Sequence, residues 1–150
     1  MASVFDVAQY ILQRINPISG IKLQKLVYYC QAWHLAWNEG RPLFDDRIEA
    51  WINGPVVRNL YNLHRRQTKI YSLPEGNADR LTAAQKESIQ KVLDNYGNKE
   101  DTWLILRSHQ EAPWKDARRG LSPLEASTNE VSIESIHSFY KNKNIENCVK

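Results

Sequence analysis

The sequence predicts a mainly α protein: a compact bundle of about six helices around a central apolar helix at about 21–38, with one small β-hairpin at about 43–52. Three observations predict it. Residues 21–37, IKLQKLVYYCQAWHLAW, keep apolar residues at helical spacing for about four turns. Other segments carry apolar residues in steps of three and four behind recognisable caps. Only residues 41–53 abandon that spacing for short extended runs.

The first helix starts at Ser3 as N-cap, with Asp6 three residues on. Val4, Val7, Ala8, Ile11, Leu12 and Ile15 form one face, which stops before Pro17. In the central helix, Leu23, Leu26, Val27, Cys30, Trp33, His34 and Trp37 share a stripe. Tyr28, Tyr29 and Leu35 add apolar surface on other sides, as suits a helix surrounded by its own domain. Gly40 is the expected stop. Leu43-Phe44 and Ile48 to Ile52 read as two short strands with Asp45-Asp46 as their turn. Asn53-Gly54 is a sharp corner, because both residues tolerate positive φ. Pro55 then suits the first position of a helix reaching Arg66.

Residues 67–81 are expected as loop around Pro74-Glu75-Gly76. Thr82 and Gln85 spell a capping box, and the helix behind it carries Ile89, Val92, Leu93 and Tyr96 before Gly97. A further helix covers Thr102 to His109. Pro113 ends it, and Trp114 begins a short basic turn. The last helix spans Ser132 to Lys141. Residues 1–142 are expected to form a single domain, and 143–150 a polar, flexible tail.

Composition narrows the class. Hydrophobic residues are 42% and charged residues 25%, the balance of an ordinary globular domain. No run approaches the roughly 18 apolar residues of a membrane span. MASVFDVAQY has no secretion-signal pattern, and the two cysteines, Cys30 and Cys148, lie in an apolar helix and a polar tail. A cytoplasmic location without a disulfide is therefore expected. A net charge of +3 is too balanced to demand a polyanion, which disfavours nucleic acid as a partner. Five Trp and seven Tyr are a rich supply of the residues that serve both cores and protein interfaces.

The candidate chemistry is thin. A phosphate loop would want several glycines or a following Lys, and Asn53-Gly54-Pro55 has one Gly and a Pro that removes a donor. Cys30 and His34 have metal-ligand spacing, but zinc wants three or four ligands, so core packing is the plainer reading. His109 and Glu111 lack the nucleophile or second carboxylate that acid–base catalysis would need. The chain is therefore expected not to be an enzyme, with no catalytic residue, cofactor or metal assigned. Two basic stretches, Arg58 to Lys69 and Lys115 to Arg119, read first as solvated faces. Trp51 and Trp114 sit beside turns, where one side of a ring is often exposed.

The motifs together carry a resemblance. Ile21 to Ala36, IKLQKLVYYCQAWHLA, resembles the KLQKLxYYxQxxxL signature of the Panacea, or SocA-like, antitoxin domain, a family also labelled phage-associated GepA-like proteins. A second block is Pro42-Leu43-Phe44, then Glu49 to Val57, then Leu60-Tyr61. A third is Glu111-x-Pro113-Trp114-x-x-Ala117-Arg118. The blocks stand in family order and cover roughly residues 5–142.

The resemblance implies an antitoxin that binds a cognate toxin directly, the toxin being encoded next to it. Delivery of that toxin to an ATP-dependent protease is a further expectation of the resemblance. The alternative is a nucleic-acid-binding or regulatory protein of a mobile element or prophage. Trp51, Asn53, Arg58, Tyr61, Arg65, Glu111, Trp114 and Arg118 are the candidate partner-binding residues, with Trp51, Arg58 and Tyr61 near the rim of the toxin-binding face.

Overall fold

The computed structural model describes residues 2–150; Met1, the first residue of the expected domain, lies outside the described residues. In chain order the elements are α1 (Val4–Leu12), β1 (Ile18–Ser19), α2 (Gly20–Trp37), β2 (Ile48–Trp51), β3 (Gly54–Val57), α3 (Arg58–His64) and β4 (Lys69–Ile70). A short 3-10 turn (Ala78–Arg80) follows. Then come α4 (Ala83–Tyr96), α5 (Asp101–Gln110), α6 (Ala112–Ala117), α7 (Ile133–Tyr140) and α8 (Ile145–Cys148). The fold is mainly α, as expected. Eight α-helices stand among the described residues, α6 and α8 being the two beyond the expected six.

The centre is α2. Thirteen consecutive residues, Leu23 to Leu35, are buried, so every side of this helix meets protein. Helices α1, α4, α5 and α7 and strand β3 all pack on it. The stripe of the sequence is there, but so are its other faces. Tyr29 stacks on Tyr96 with ring centroids 4.2 Å apart, and the Trp33 indole N–H donates to the Tyr96 hydroxyl at 3.1 Å. Those contacts bind α4 to α2 through aromatic bodies with satisfied polar tips. The capping box at the start of α4 forms in full, with Thr82 and Gln85 bonded reciprocally.

The hairpin lies at 48–57 rather than at 43–52. Strands β2 and β3 pair antiparallel with Ile48 opposite Val57 and Trp51 opposite Gly54, and Ile52-Asn53 makes the turn. Leu43 and Phe44 are buried but not paired to a strand. Gln31 of α2 takes that place: its amide donates to the Phe44 carbonyl at 2.6 Å and accepts from the Leu43 N–H at 2.7 Å. Pro55 opens no helix, and α3 begins only at Arg58. Pro55 faces Ala50 across the hairpin, and Ala50 sends its N–H to Asn129 and takes the Arg118 guanidinium on its carbonyl. That pair exchanges no ladder bond, so the missing proline N–H costs nothing.

Residues 129–131 lie along the free edge of β2, with Val131 N–H donating to the Ile48 carbonyl at 2.8 Å. A second small sheet joins β1 to β4 within the stretches expected as loops. Pro113 does not merely end α5; it sits in the first turn of α6, where a proline fits. In the segment expected as a flexible tail, 143–150, Ile145 of α8 is buried and Cys148 and Val149 pack on the core.

Two substitutions test this frame. Gln31→Met keeps the volume but leaves the Leu43 N–H and Phe44 C=O buried without partners, so unfolding free energy should fall by about 2–4 kcal/mol in urea denaturation. Gly54 has φ +112, and a Cβ there would lie 2.6 Å from Lys25 Cε and 2.8 Å from Ser108 Oγ. Gly54→Ala should therefore destabilise by at least about 1–3 kcal/mol.

Candidate functional site

One cleft of about 730 Å³ opens where the hairpin, the start of α2 and α3 meet. Gln24 and Lys25 of α2 and Val56 of β3 line it; Trp51, Ile52 and Asn53 come from the hairpin tip. Tyr61 and His64 of α3 and its C-cap Arg65 reach it together, because residues three and four apart share a helix face. The loop at Ala126 to Thr128 closes another side. The lining is mostly apolar, with charged groups at its edges and Lys25 within.

The Trp51 and Tyr61 rings meet edge to face with centroids 4.8 Å apart. Glu49 fixes this pair from beneath. Its carboxylate accepts the Trp51 indole N–H at 2.9 Å and the Arg58 guanidinium at 3.0 Å, with Arg47 at 3.3 Å. Arg58 also lies over the Trp51 ring, 5.0 Å from its centroid. Burial alone would push the Glu49 carboxyl up; the bonds from Trp51, Arg58 and Arg47 outweigh it and hold the group below its ordinary value.

Beneath the rim, polar side chains of α2 hold the hairpin. The Gln24 amide accepts the Val57 N–H at 2.9 Å and donates to the Val57 carbonyl at 3.2 Å. Gln24 Nε2 also lies 3.0 Å from His64 Nε2, which assigns His64 as the neutral acceptor, in line with a burial that lowers its pKa. Lys25 is 1% exposed and donates to the Pro55 carbonyl at 3.0 Å. Burial lowers its pKa to about 7, the Asp101 carboxylate partly opposing that. Ser19, the N-cap of α2, donates to Asp101 at 2.6 Å.

Five of the eight candidate residues therefore converge: Trp51, Asn53, Arg58, Tyr61 and Arg65 all line the cleft. The structure does not bring Glu111, Trp114 and Arg118 into it. Glu111 is buried and takes the hydroxyls of Tyr29 and Tyr140 on one oxygen, at 2.9 and 2.7 Å; burial pushes its carboxyl up. The Trp114 indole donates to the Trp51 carbonyl at 2.8 Å, and its ring stacks on His109 at 4.0 Å. Arg118, 4% exposed, donates to the carbonyls of Ala50, Ser122 and Glu125. Trp114 and Arg118 fasten the hairpin from behind, while Glu111 ties α2 to α7.

The sequence reading missed Gln24, Lys25, His64 and Asp101 as cleft residues. The signal was available in part: a Lys and a Gln inside a helix apolar on most sides cannot reach solvent and must meet buried partners.

The basic residues do not form one free set. Arg58 is bound to Glu49, Arg118 is buried on carbonyls, and Arg119 pairs with Asp116. Among the described residues no three His, Cys, Asp or Glu side chains gather as a metal site. Cys30 is buried with its thiol pushed up by burial, and His34 meets Ser88 at 2.8 Å. No described helix is long and apolar enough to cross a membrane.

The Glu49 cluster predicts acid sensitivity. A carboxyl whose folded pKa is depressed contributes stability above its unfolded value, near 4.5, and loses it as pH falls through the folded value. Melting temperature should therefore drop as pH falls below about 5, and Glu49→Gln should flatten part of that drop while lowering stability near neutral pH.

A family model described as the antitoxin SocA-like Panacea domain matches residues 23–115, more than half of the chain. No curated protein matches, and no solved structure does. The matched span runs from the first buried turns of α2 through the hairpin and the cleft to α6. The chain belongs to the SocA-like antitoxin family built on the Panacea domain.

Proposed function

We propose that this chain neutralises a cognate toxin by binding it directly, with the Trp51–Tyr61 cleft as the docking face. Family membership supports the antitoxin role. The observation that carries the location is the composition of the cleft: a solvent-open apolar hollow edged by a Trp, a Tyr and two exposed arginines. Trp, Tyr and Arg are the residues that dominate binding energy at protein interfaces, above all around a pocket that excludes water. Neutralisation by occlusion needs affinity and no chemistry. Nanomolar binding is about 12 kcal/mol, within reach of an interface of roughly 1,600 Å² that has a few such anchors.

The rim is prepared for this work. Trp51 is held by Glu49, Arg58 and Tyr61, so little side-chain freedom remains to be lost on contact. Arg65 is exposed and makes no ion pair among the described residues, which leaves its guanidinium for a partner. The engagement of Arg58, Arg118 and Arg119 within the chain argues against the nucleic-acid alternative.

The test is co-expression with the gene adjacent to this one in its genome. The neighbour alone should arrest growth, and both together should permit it and co-purify. Arg65→Glu should weaken complex formation by about tenfold or more, while Lys115→Glu, outside the cleft, leaves it unchanged. A harmless neighbour, or arrest that persists with this chain present and folded, would overturn the antitoxin role. Equal affinity for wild type and Arg65→Glu would overturn the docking face. Toxin levels in the same strain report on delivery to an ATP-dependent protease, which predicts that they fall when this chain is present.

A further inference from the structure

Lys25 is out of place unless something meets it. It is the third residue of the buried run of α2, is 1% exposed, and still lines the cleft. An ammonium has three donors. The only hydrogen bond of the Lys25 ammonium among the described residues runs to the Pro55 carbonyl. No carboxylate of the described residues pairs with it; Asp101 influences it from farther off and is itself engaged by Ser19. A buried cation with one neutral acceptor is incompletely satisfied, and a carboxylate is the group that completes it.

The surroundings fit such an arrival. Arg58, Tyr61, His64 and Arg65 line the same cleft from α3, and Asp101 is its one acidic lining residue. On α5, His109 also feels the Lys25 charge. From the hairpin the Pro55 carbonyl meets the Lys25 ammonium at 3.0 Å. The balance is positive, while Trp51, Ile52 and Val56 supply apolar walls. A ligand entering here would place an apolar body against those walls and an anion at the end.

We propose that the cleft receives an acidic side chain, Asp or Glu, carried on an apolar segment of the bound toxin, and that Lys25 is its ion-pair partner. This rests on the cleft being the docking face. It adds the chemistry of the contact and a proton linkage. With the free Lys25 pKa lowered to about 7, pairing with a carboxylate restores the charged form, so the complex takes up a proton. Affinity is then greatest below about pH 7. It falls as pH rises through that value, by up to tenfold per unit, until the raised pKa of the complex is reached.

The probe is 4-phenylbutyrate, an apolar body with one carboxylate, compared with its uncharged amide. Each is titrated into the full chain labelled with nitrogen-15. The acid should shift amide resonances of Ile21, Asn53 and Tyr61 and bind at least about tenfold tighter than the amide near pH 6. That preference should shrink about tenfold or more by pH 9, a range in which the probe stays ionised. Lys25→Met, which removes the charge at similar volume, should bind acid and amide alike. Equal binding of the two by the wild-type chain, a preference indifferent to pH, or no shifts in the cleft up to about 10 mM probe would each overturn the inference. The wild-type comparison decides the matter even if the Lys25→Met protein does not fold. Probe failure with toxin neutralisation intact overturns this inference and leaves the antitoxin reading standing. Acid-selective binding without neutralisation of any toxin overturns that reading, and with it the identity of the segment that carries the carboxylate.

Discussion

Everything at the cleft depends on how α2 satisfies the backbone that crosses it. Residues 43–57 run over the central helix largely without helical bonds of their own, and buried peptide groups must find partners. Three polar side chains of α2 provide them. Gln31 binds the backbone of Leu43 and Phe44, Gln24 binds both polar groups of Val57, and Lys25 takes the Pro55 carbonyl. Each amide pairs like a short piece of strand. Without them the segment would carry orphaned groups worth about 1–3 kcal/mol apiece, and the hairpin would have no fixed place on the helix.

The same constraint explains what the sequence could and could not reveal. The capping box at Thr82 and the helical spacing of α1, α2 and α4 depend on local chemistry, so they were legible. The hairpin slipped because its register is set from outside the hairpin. Leu43 and Phe44 are apolar and buried like strand residues, yet their partner is a glutamine twelve and thirteen positions upstream. Pro55 looks like a helix opener, yet it tolerates a strand because Ala50 has its bonds elsewhere. No local pattern encodes either fact.

The candidate residues divide along a related line. Trp51, Asn53, Arg58, Tyr61 and Arg65 belong to adjacent elements joined by a two-residue turn, so their gathering follows from short-range geometry once the hairpin is placed. Glu111, Trp114 and Arg118 share the family blocks with Trp51, Asn53 and Tyr61 but face inward. A motif records which residues a fold needs and which a partner needs without separating them. Burial separates them here: the Glu111 and Arg118 side chains have hydrogen-bond partners inside the chain, and the exposed Arg65 side chain has none among the described residues.

Rigidity at a binding face has to come from somewhere, and here it comes from the interior. The Trp51 carbonyl is held by Trp114, the Trp51 indole by Glu49, and the strand behind it by Arg118. A surface whose aromatic residue is held at both its backbone and its ring loses less entropy on association than a mobile loop would. Lys25 is the exception in that frame, a donor with capacity left over in a place where leftover capacity is costly. The Pro55 carbonyl accounts for one of its three donors and leaves the other two without a partner among the described residues, so the hold on the hairpin explains only part of its presence. A partner that brings the missing anion removes the contradiction, because the cost of burying the lysine is then recovered in the complex and not in the fold.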